Sequence, residues 1–217
     1  MLANLFLHYA FDVWIAREFP GCPFERYADD AVVHCSSLGR AETVLAAIRE
    51  RMGEVGLELH PDKTRIVYCK DGKRRGSFEH TSFTFLGFAF RARGMRTKTG
   101  KMFTGFNPAV SKDALKKMGA TVRAWRLHHR TGSSERDLAR AINPVVRGWM
   151  QYYGAFHRSA LYPLLSRINA YLMRWSRRKY KRLRGRKKAQ DQWEMVVKLR
   201  PRFFAHWVWV NTVPQAW

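Results

Sequence analysis

The stretch Phe24-Glu25-Arg26-Tyr27-Ala28-Asp29-Asp30-Ala31-Val32-Val33 constrains the chain more than any other. Two adjacent carboxylates stand between a short segment of strand character and an Ala-Val-Val run. This pattern predicts a β-hairpin with Asp29 and Asp30 at its turn, running on to about Cys35. Neighbours on a straight strand face opposite sides, whereas a turn lets both carboxylates converge. Converging hard-oxygen ligands suit Mg²⁺, and two-metal phosphoryl-transfer sites rely on shared carboxylates. The plainer reading is a polar turn, because Asp is favoured there on its own account.

Charge divides the chain. Residues 1–99 carry 15 basic and 12 acidic side chains, whereas residues 100–217 carry 25 and 5. A near-neutral half joined to a strongly cationic one calls for a polyanionic partner, since each phosphate contact gains by releasing counterions. Nucleic acid is the first candidate. No uncharged apolar run approaches the roughly 20 residues that span a bilayer, so no membrane partner is expected. Hydrophobic content of 46% excludes a disordered chain. Cys22, Cys35 and Cys69 lie far apart in sequence and form no Cys/His cluster, so no structural zinc site is expected and a reducing cytosol fits. The apolar N-terminus lacks the basic segment and cleavage site of a signal peptide, which agrees with a cytoplasmic location.

In chain order, Leu2, Leu5, Phe6, Tyr9 and Val13 at helical spacing predict an amphipathic helix over 2–17. After the hairpin, Ser36 or Ser37 can cap a helix with apolar positions Ala41, Val44, Leu45, Ile48, Met52 and Val55, and Gly56 can end it in the left-handed region. Segments 57–59 and 65–69 read as strands flanking the His60-Pro61-Asp62-Lys63 turn. A polar loop spans 70–80. The aromatic alternation over 83–90 reads as one strand, with Gly87 marking a bulge or a close backbone approach, and 102–106 as its partner.

After Asn107-Pro108 the pattern becomes helical and basic. Ser111 to about Arg130 sets Leu115, Met118, Val122 and Trp125 on one stripe, opposite Lys112, Lys116, Lys117, Arg123 and Arg126, with Arg130 at its end. Ser134 and Asp137 form a capping-box start to the next helix, and Pro144 predicts a kink before a segment over 145–153 that carries Arg147. The longest helix, about Ser159 to Leu183, holds Leu161, Leu164, Leu165, Ile168, Leu172 and Trp175 in register. It also carries Arg174, Arg177, Arg178, Lys179, Lys181 and Arg182. These cations are the candidate RNA contacts. The interleaved aromatics, such as Trp149, Tyr152 and Tyr153, are better assigned to the core.

Four stretches, in order, resemble the C-terminal half of a group II intron-encoded reverse transcriptase/maturase. They are the helix Leu2-Ala3-Asn4-Leu5-Phe6-Leu7-His8-Tyr9; the Tyr27-Ala28-Asp29-Asp30 hairpin; Leu59-His60-Pro61-Asp62-Lys63-Thr64 leading to Phe85-Leu86-Gly87-Phe88; and a basic helical segment with Arg147-Gly148-Trp149 and Tyr152-Tyr153-Gly154. Arg202-Phe203-Phe204-Ala205-His206-Trp207 resembles the family's C-terminus. The resemblance implies an α+β fold: a partial reverse-transcriptase palm of antiparallel strands packed on helices over 1–107, then an all-α basic thumb or maturase bundle over 108–217. It implies that Asp29 and Asp30 bind catalytic Mg²⁺ at a primer 3′ end, that Lys63 lies near the incoming nucleotide's phosphates, and that Phe85, Leu86 and Gly87 position the primer strand. Its partners would be group II intron RNA, with DNA and a separate fingers/palm polypeptide as further candidates.

The family's remaining catalytic Asp and its fingers are expected upstream of Met1. The chain alone is therefore not expected to polymerise, Mg²⁺ binding to the Asp pair is expected to be weak, and a sheet edge is expected to lie open. With no Cys/His cluster after the thumb, DNA cleavage is not expected. Three readings follow: a reverse transcriptase with Asp29 and Asp30 as metal ligands, an RNA-clamping maturase module, or a remnant without activity.

Overall fold

In the computed structural model the residues described are 2–73, 76, 78–97 and 99–212, and within the expected polar loop Arg74, Arg75 and Ser77 lie outside them. Contacts divide the chain into two compact units, Met1–Phe83 and Thr84–Trp217.

The first unit opens with α1 (Leu2–Leu7), a π-helical stretch (His8–Val13) and α2 (Trp14–Glu18). The expected apolar stripe is on the wrong side. Leu2, Leu5, Phe6, Tyr9 and Val13 are all exposed, and the buried residues are Ala10, Phe11 and Ile15. This segment has two apolar stripes, and Phe11 and Ile15, with Trp14 half-buried against the same cluster, pack with Val44, Ile48 and Met52 of α3 (Leu38–Glu54). Widening the helix to a π-turn frees backbone carbonyls. Arg51 of α3 takes one of these, donating from Nε to the Ala10 carbonyl at 3.2 Å. Ser37 caps α3 by accepting from the Arg40 N–H, and Gly56 ends it at φ +74°, both as expected.

Between α2 and α3 lies the expected hairpin, β1 (Phe24–Tyr27) and β2 (Asp30–Val33), paired antiparallel with Tyr27 opposite Asp30. Segments 57–59 and 65–69 are not strands. A strand exists by its ladder, and among the described residues these segments show only isolated backbone bonds, such as those from the Leu57 N–H to the Met52 carbonyl and from the Tyr68 N–H to the His80 carbonyl. His60 to Thr64 does form the expected turn, with the Thr64 N–H donating to the His60 carbonyl.

The aromatic run over 83–90 is two strands rather than one. β3 (Ser82–Phe85) and β4 (Phe88–Arg96) are joined by Leu86 and Gly87, both at positive φ (+51° and +78°), which is the pattern of a type I′ turn. β5 (Met102–Val110) completes a sheet of order β3-β4-β5 and pairs with β4 from Phe88 opposite Val110 to Arg96 opposite Met102. It therefore runs on through Asn107-Pro108, where composition had suggested a break. Pro108, which lacks an N–H, is tolerated because β5 is an edge strand. The compact units divide upstream of that composition change, because β4 and β5 belong to the unit that holds the helices.

Helices α4 (Lys112–Ala124), α5 (Glu135–Tyr153), α6 (Tyr162–Lys179) and α7 (Arg186–Leu199) share one core with the tail Phe204 to Val210. α4 ends earlier than expected, because Arg126 turns left-handed (φ +46°) into a 3₁₀ turn over Leu127–His129. The capping box of Ser134 and Asp137 starts α5. α5 then runs unbroken through Pro144, which sits at an exposed position where the hydrogen bond it forfeits can be made to water. The single long helix expected to Leu183 stops at Lys179, and a separate α7 follows. Two buried amides fasten the tail. Asn143 donates to the Phe203 carbonyl and accepts from the Ala205 N–H, while Asn169 donates to the Val210 and Thr212 carbonyls. The Asn169 Oδ1 accepts from Trp207 Nε1 and from His206 Nε2, which assigns the His206 proton to Nε2.

His206 is fully buried, and burial pushes its pKa from 6.5 down to about 3. Between those values the folded state binds fewer protons than the unfolded one, so stability is complete above about 6.5 and falls as pH drops, by up to about 1.4 kcal/mol per pH unit. Denaturant unfolding from pH 7 to 4 should show this acid loss, and His206→Gln should flatten it. An unchanged slope would refute the assignment.

Candidate functional site

Asp29 occupies the hairpin turn and Asp30 the first position of β2, and both side chains are exposed. The two-residue loop has positive φ only at its first residue, Ala28 (+55°), as in a type II′ turn. An alanine there carries the left-handed cost of roughly 1–2 kcal/mol that glycine would avoid. Strain of this kind persists where surrounding contacts impose it. Here the contacts come from Arg26. Its Nε and Nη2 reach the two Asp12 carboxylate oxygens at 2.6 and 2.7 Å, and its Nη1 donates to the Ala28 carbonyl at 2.7 Å and to Asn4 Oδ1 at 3.3 Å. One guanidinium thus ties the Asp-bearing turn to the first helical segment. The pairing pulls the Asp12 carboxyl below its ordinary range, mainly through the Arg26 hydrogen bonds, with His8 adding a smaller effect. Nothing in the sequence singles out Asp12 or Arg26.

Asp29 and Asp30 supply two adjacent carboxylates. Mg²⁺ commonly takes one or two, with water and substrate phosphates filling its octahedron, so the pair fits one such ion. Among the described residues no group of three or more Asp, Glu, His or Cys comes together, so the donors present do not amount to a two-metal centre. Lys63 is exposed at the end of the His60 turn.

Phe85, Leu86 and Gly87 lie at the β3–β4 turn, which is held in place by other parts of the second unit. The Leu86 carbonyl accepts from Tyr152 Oη at 2.9 Å, and the Gly87 carbonyl accepts from the Ser111 N–H at 2.9 Å. A Cβ on Gly87 would come 2.9 Å from Tyr153 Oη, which is the close backbone approach expected there. Beside this turn, α4 and α5 border a cleft of about 580 Å³ lined by Gly87, Lys117, Thr121, Gly148, Trp149 and Tyr152 among others. Trp149 stacks on Trp125 at 5.6 Å, so both rings serve helix packing.

The expected RNA contacts divide by what they already bind. Lys112, Lys116, Lys117 and Arg123 on α4, and Arg147 on α5, present exposed side chains. Arg126 and Arg130 flank the 3₁₀ turn and are also exposed, as are Lys181 and Arg182 between α6 and α7. Arg174 lies over the Tyr171 ring at 5.7 Å. The remaining α6 cations hold loops. Lys179 Nζ donates to the Thr131 and Ser133 carbonyls, Arg177 donates twice to the Arg184 carbonyl, and Arg178 donates to the His128 carbonyl. Further exposed cations, Arg167 and the run Arg184, Arg186, Lys187 and Lys188, extend the basic surface, and the charge run alone could have pointed to them.

Residues 1–90 match the reverse transcriptase (RNA-dependent DNA polymerase) family model, and residues 115–193 match the group II intron, maturase-specific domain. No curated protein matches the chain. Carrying both in that order, the chain belongs to the group II intron reverse transcriptase/maturases, and the pair of domains implies binding of intron RNA. No described helix is long and apolar enough to cross a membrane.

The two tight turns make opposite predictions. Ala28→Gly should raise the stability of the first unit by about 1 kcal/mol. Gly87→Ala should lower that of the second by about 1–3 kcal/mol, because a left-handed backbone and the Tyr153 hydroxyl both oppose a methyl group. Chemical denaturation of the two variants checks both signs, and a neutral Gly87→Ala would contradict the close approach.

Proposed function

We propose that the protein grips structured group II intron RNA through the cationic surfaces of α4 to α7 and so assists splicing, and that its Asp hairpin belongs to an RNA-directed DNA polymerase palm. The observation that carries this reading is a coincidence. The maturase-specific match over 115–193 covers the stretch in which exposed Lys and Arg crowd the helices of a well-packed core. In this reading the palm segment covers 1–107 and the thumb and maturase domain covers 108–217. Arg126, Arg130, Arg147 and the α4 lysines are the leading phosphate contacts, since their side chains are exposed.

For polymerisation, Asp29 and Asp30 would hold Mg²⁺, which supplies Lewis-acid stabilisation of the reacting phosphate. Lys63 would offset nucleotide charge, and the Phe85 to Gly87 turn would place the primer strand. Arg26 would keep the carboxylates presented by fixing the Ala28 carbonyl. A two-metal site needs donors beyond this pair, and a fingers and palm segment, a separate polypeptide among the candidates, would supply them. The exposed stripe Leu2, Leu5, Phe6, Tyr9 and Val13 offers apolar surface for it, and DNA would enter as product or target. The cytoplasm is the compartment this reading requires.

Binding of the full chain to a structured intron RNA should weaken steeply with salt, each duplex phosphate contact adding about −0.9 to the slope of log K against log salt. Replacing Lys116, Lys117 and Arg123 together by Gln should make that slope shallower, whereas Asp29→Ala with Asp30→Ala should leave affinity within about twofold. Salt-independent binding, or a larger loss from the Asp variants, would contradict the reading.

A further inference from the structure

The hairpin that carries Asp29 and Asp30 also brings together two cysteines that the sequence keeps apart. Its register pairs Tyr27 with Asp30, Glu25 with Val32 and Phe24 with Val33. One step further out, the His34 N–H donates to the Pro23 carbonyl at 2.8 Å, so the pairing continues beyond the strands as assigned. The next opposed pair is Cys22 and Cys35. In an antiparallel ladder hydrogen-bonded and non-hydrogen-bonded pairs alternate. Since the His34 N–H bonds the Pro23 carbonyl, continuing the alternation one residue past the strands puts Cys22 opposite Cys35 as a non-bonded pair, for which opposed Cα atoms approach to about 4.5 Å. That falls inside the window a disulfide can bridge, roughly 4.4–6.8 Å. The Cys22 thiol is near enough to bear on the ionisation of Cys35, and both side chains belong to one packed cluster. Cys22 is buried with Phe11 and Ile15, while Cys35 is half-buried and packs against the same cluster, which gives a small oxidant one route to the pair.

We infer that Cys22 and Cys35 are a reversible modification site: a dithiol that closes to a disulfide across the base of the Asp29–Asp30 hairpin. The partner chemistry is a two-electron thiol oxidant. With diamide, the two thiols give up two electrons and two protons, an S–S bond forms, and the N=N double bond of the reagent becomes a hydrazine carrying both hydrogens. A thiol reductant reverses the step through a mixed disulfide. Burial, and then the neighbouring Cys22 thiol, raise the Cys35 pKa to about 11, with Arg40 opposing. Closure is therefore slow at neutral pH and speeds up as pH rises. The ring encloses the whole hairpin, so oxidation holds shut the ladder beneath the two carboxylates.

The test oxidises the folded, reduced full chain with diamide, blocks remaining thiols, and digests with trypsin without reduction. Arg26 lies between the two cysteines, so a bridge leaves peptides 18–26 and 27–40 joined with the loss of two hydrogens. The expected result is that linked pair, formed within one chain, with Cys69 alkylated. The link should persist in Cys69→Ser and be absent in Cys35→Ala. Amide exchange over Phe24–Val33 should slow roughly a hundredfold on oxidation, as expected for a ring of this size, and recover with reductant. No linked pair, a preferred bridge to Cys69, a bridge between chains, or a bridge without slower exchange would each overturn the inference.

Discussion

The constraint on which the second unit depends is its own charge. A unit with 29 basic and 5 acidic side chains over 84–217 repels itself, and its folded state must keep those charges apart while still burying a core. Many of its loops are closed by bonds from side chains to the backbone. Asn143 and Asn169 anchor the tail, Trp175 Nε1 donates to the Arg130 carbonyl at 2.8 Å, and Trp193 Nε1 donates to the Asn211 carbonyl at 2.8 Å. Three of the α6 cations are used in the same way: Arg177, Arg178 and Lys179 donate to carbonyls, which lets positive charge act as a structural donor without an acidic partner. Helix α4, whose lysines have no such bonds, is left with charge to offer a polyanion.

In the first unit the corresponding constraint is a single ion pair. Arg26 and Asp12 are half-buried and doubly bonded, and through the Ala28 carbonyl the same guanidinium imposes a positive φ on an alanine beside the carboxylates. Charged hydrogen bonds of this fork geometry are among the stronger ones available. They keep the strained turn beside the two adjacent carboxylates in one conformation.

Much of this was legible from local chemistry. The Asp hairpin, the Ser37 cap and Gly56 stop of α3, the Ser134 and Asp137 capping box, and the apolar stripes of α4 and α6 are all set by residues within a few positions of one another, and the structure has them. What escaped depends on partners distant in sequence. The first helix offers two apolar stripes, and only α3 decides that Phe11 and Ile15 are the buried ones. Leu86 is a poor advertisement for a left-handed turn, so two strands read as one, and the Tyr152 hydroxyl that accounts for the turn comes from α5. Pro144 passes through α5 because its face is exposed. The charge run from Arg177 to Lys188 hides a helix break, and the proximity of Cys22 to Cys35 exists only once the hairpin register is known. At the site itself the carboxylates were visible, but Asp12 and Arg26, which hold them in place, were not.

The central claim is that RNA contacts the cations the fold leaves exposed, not those it has already engaged. Residue-resolved lysine acetylation of the full chain, with and without structured intron RNA and with no nucleotide present, tests it most directly. RNA should protect Lys112, Lys116, Lys117, Lys187 and Lys188 at least fivefold, while Lys63 and Lys70 of the first unit keep their reactivity and Lys179, already bonded to two carbonyls, reacts slowly in both states. Equal protection of both units, or protection confined to Lys63 and Lys70, would contradict it.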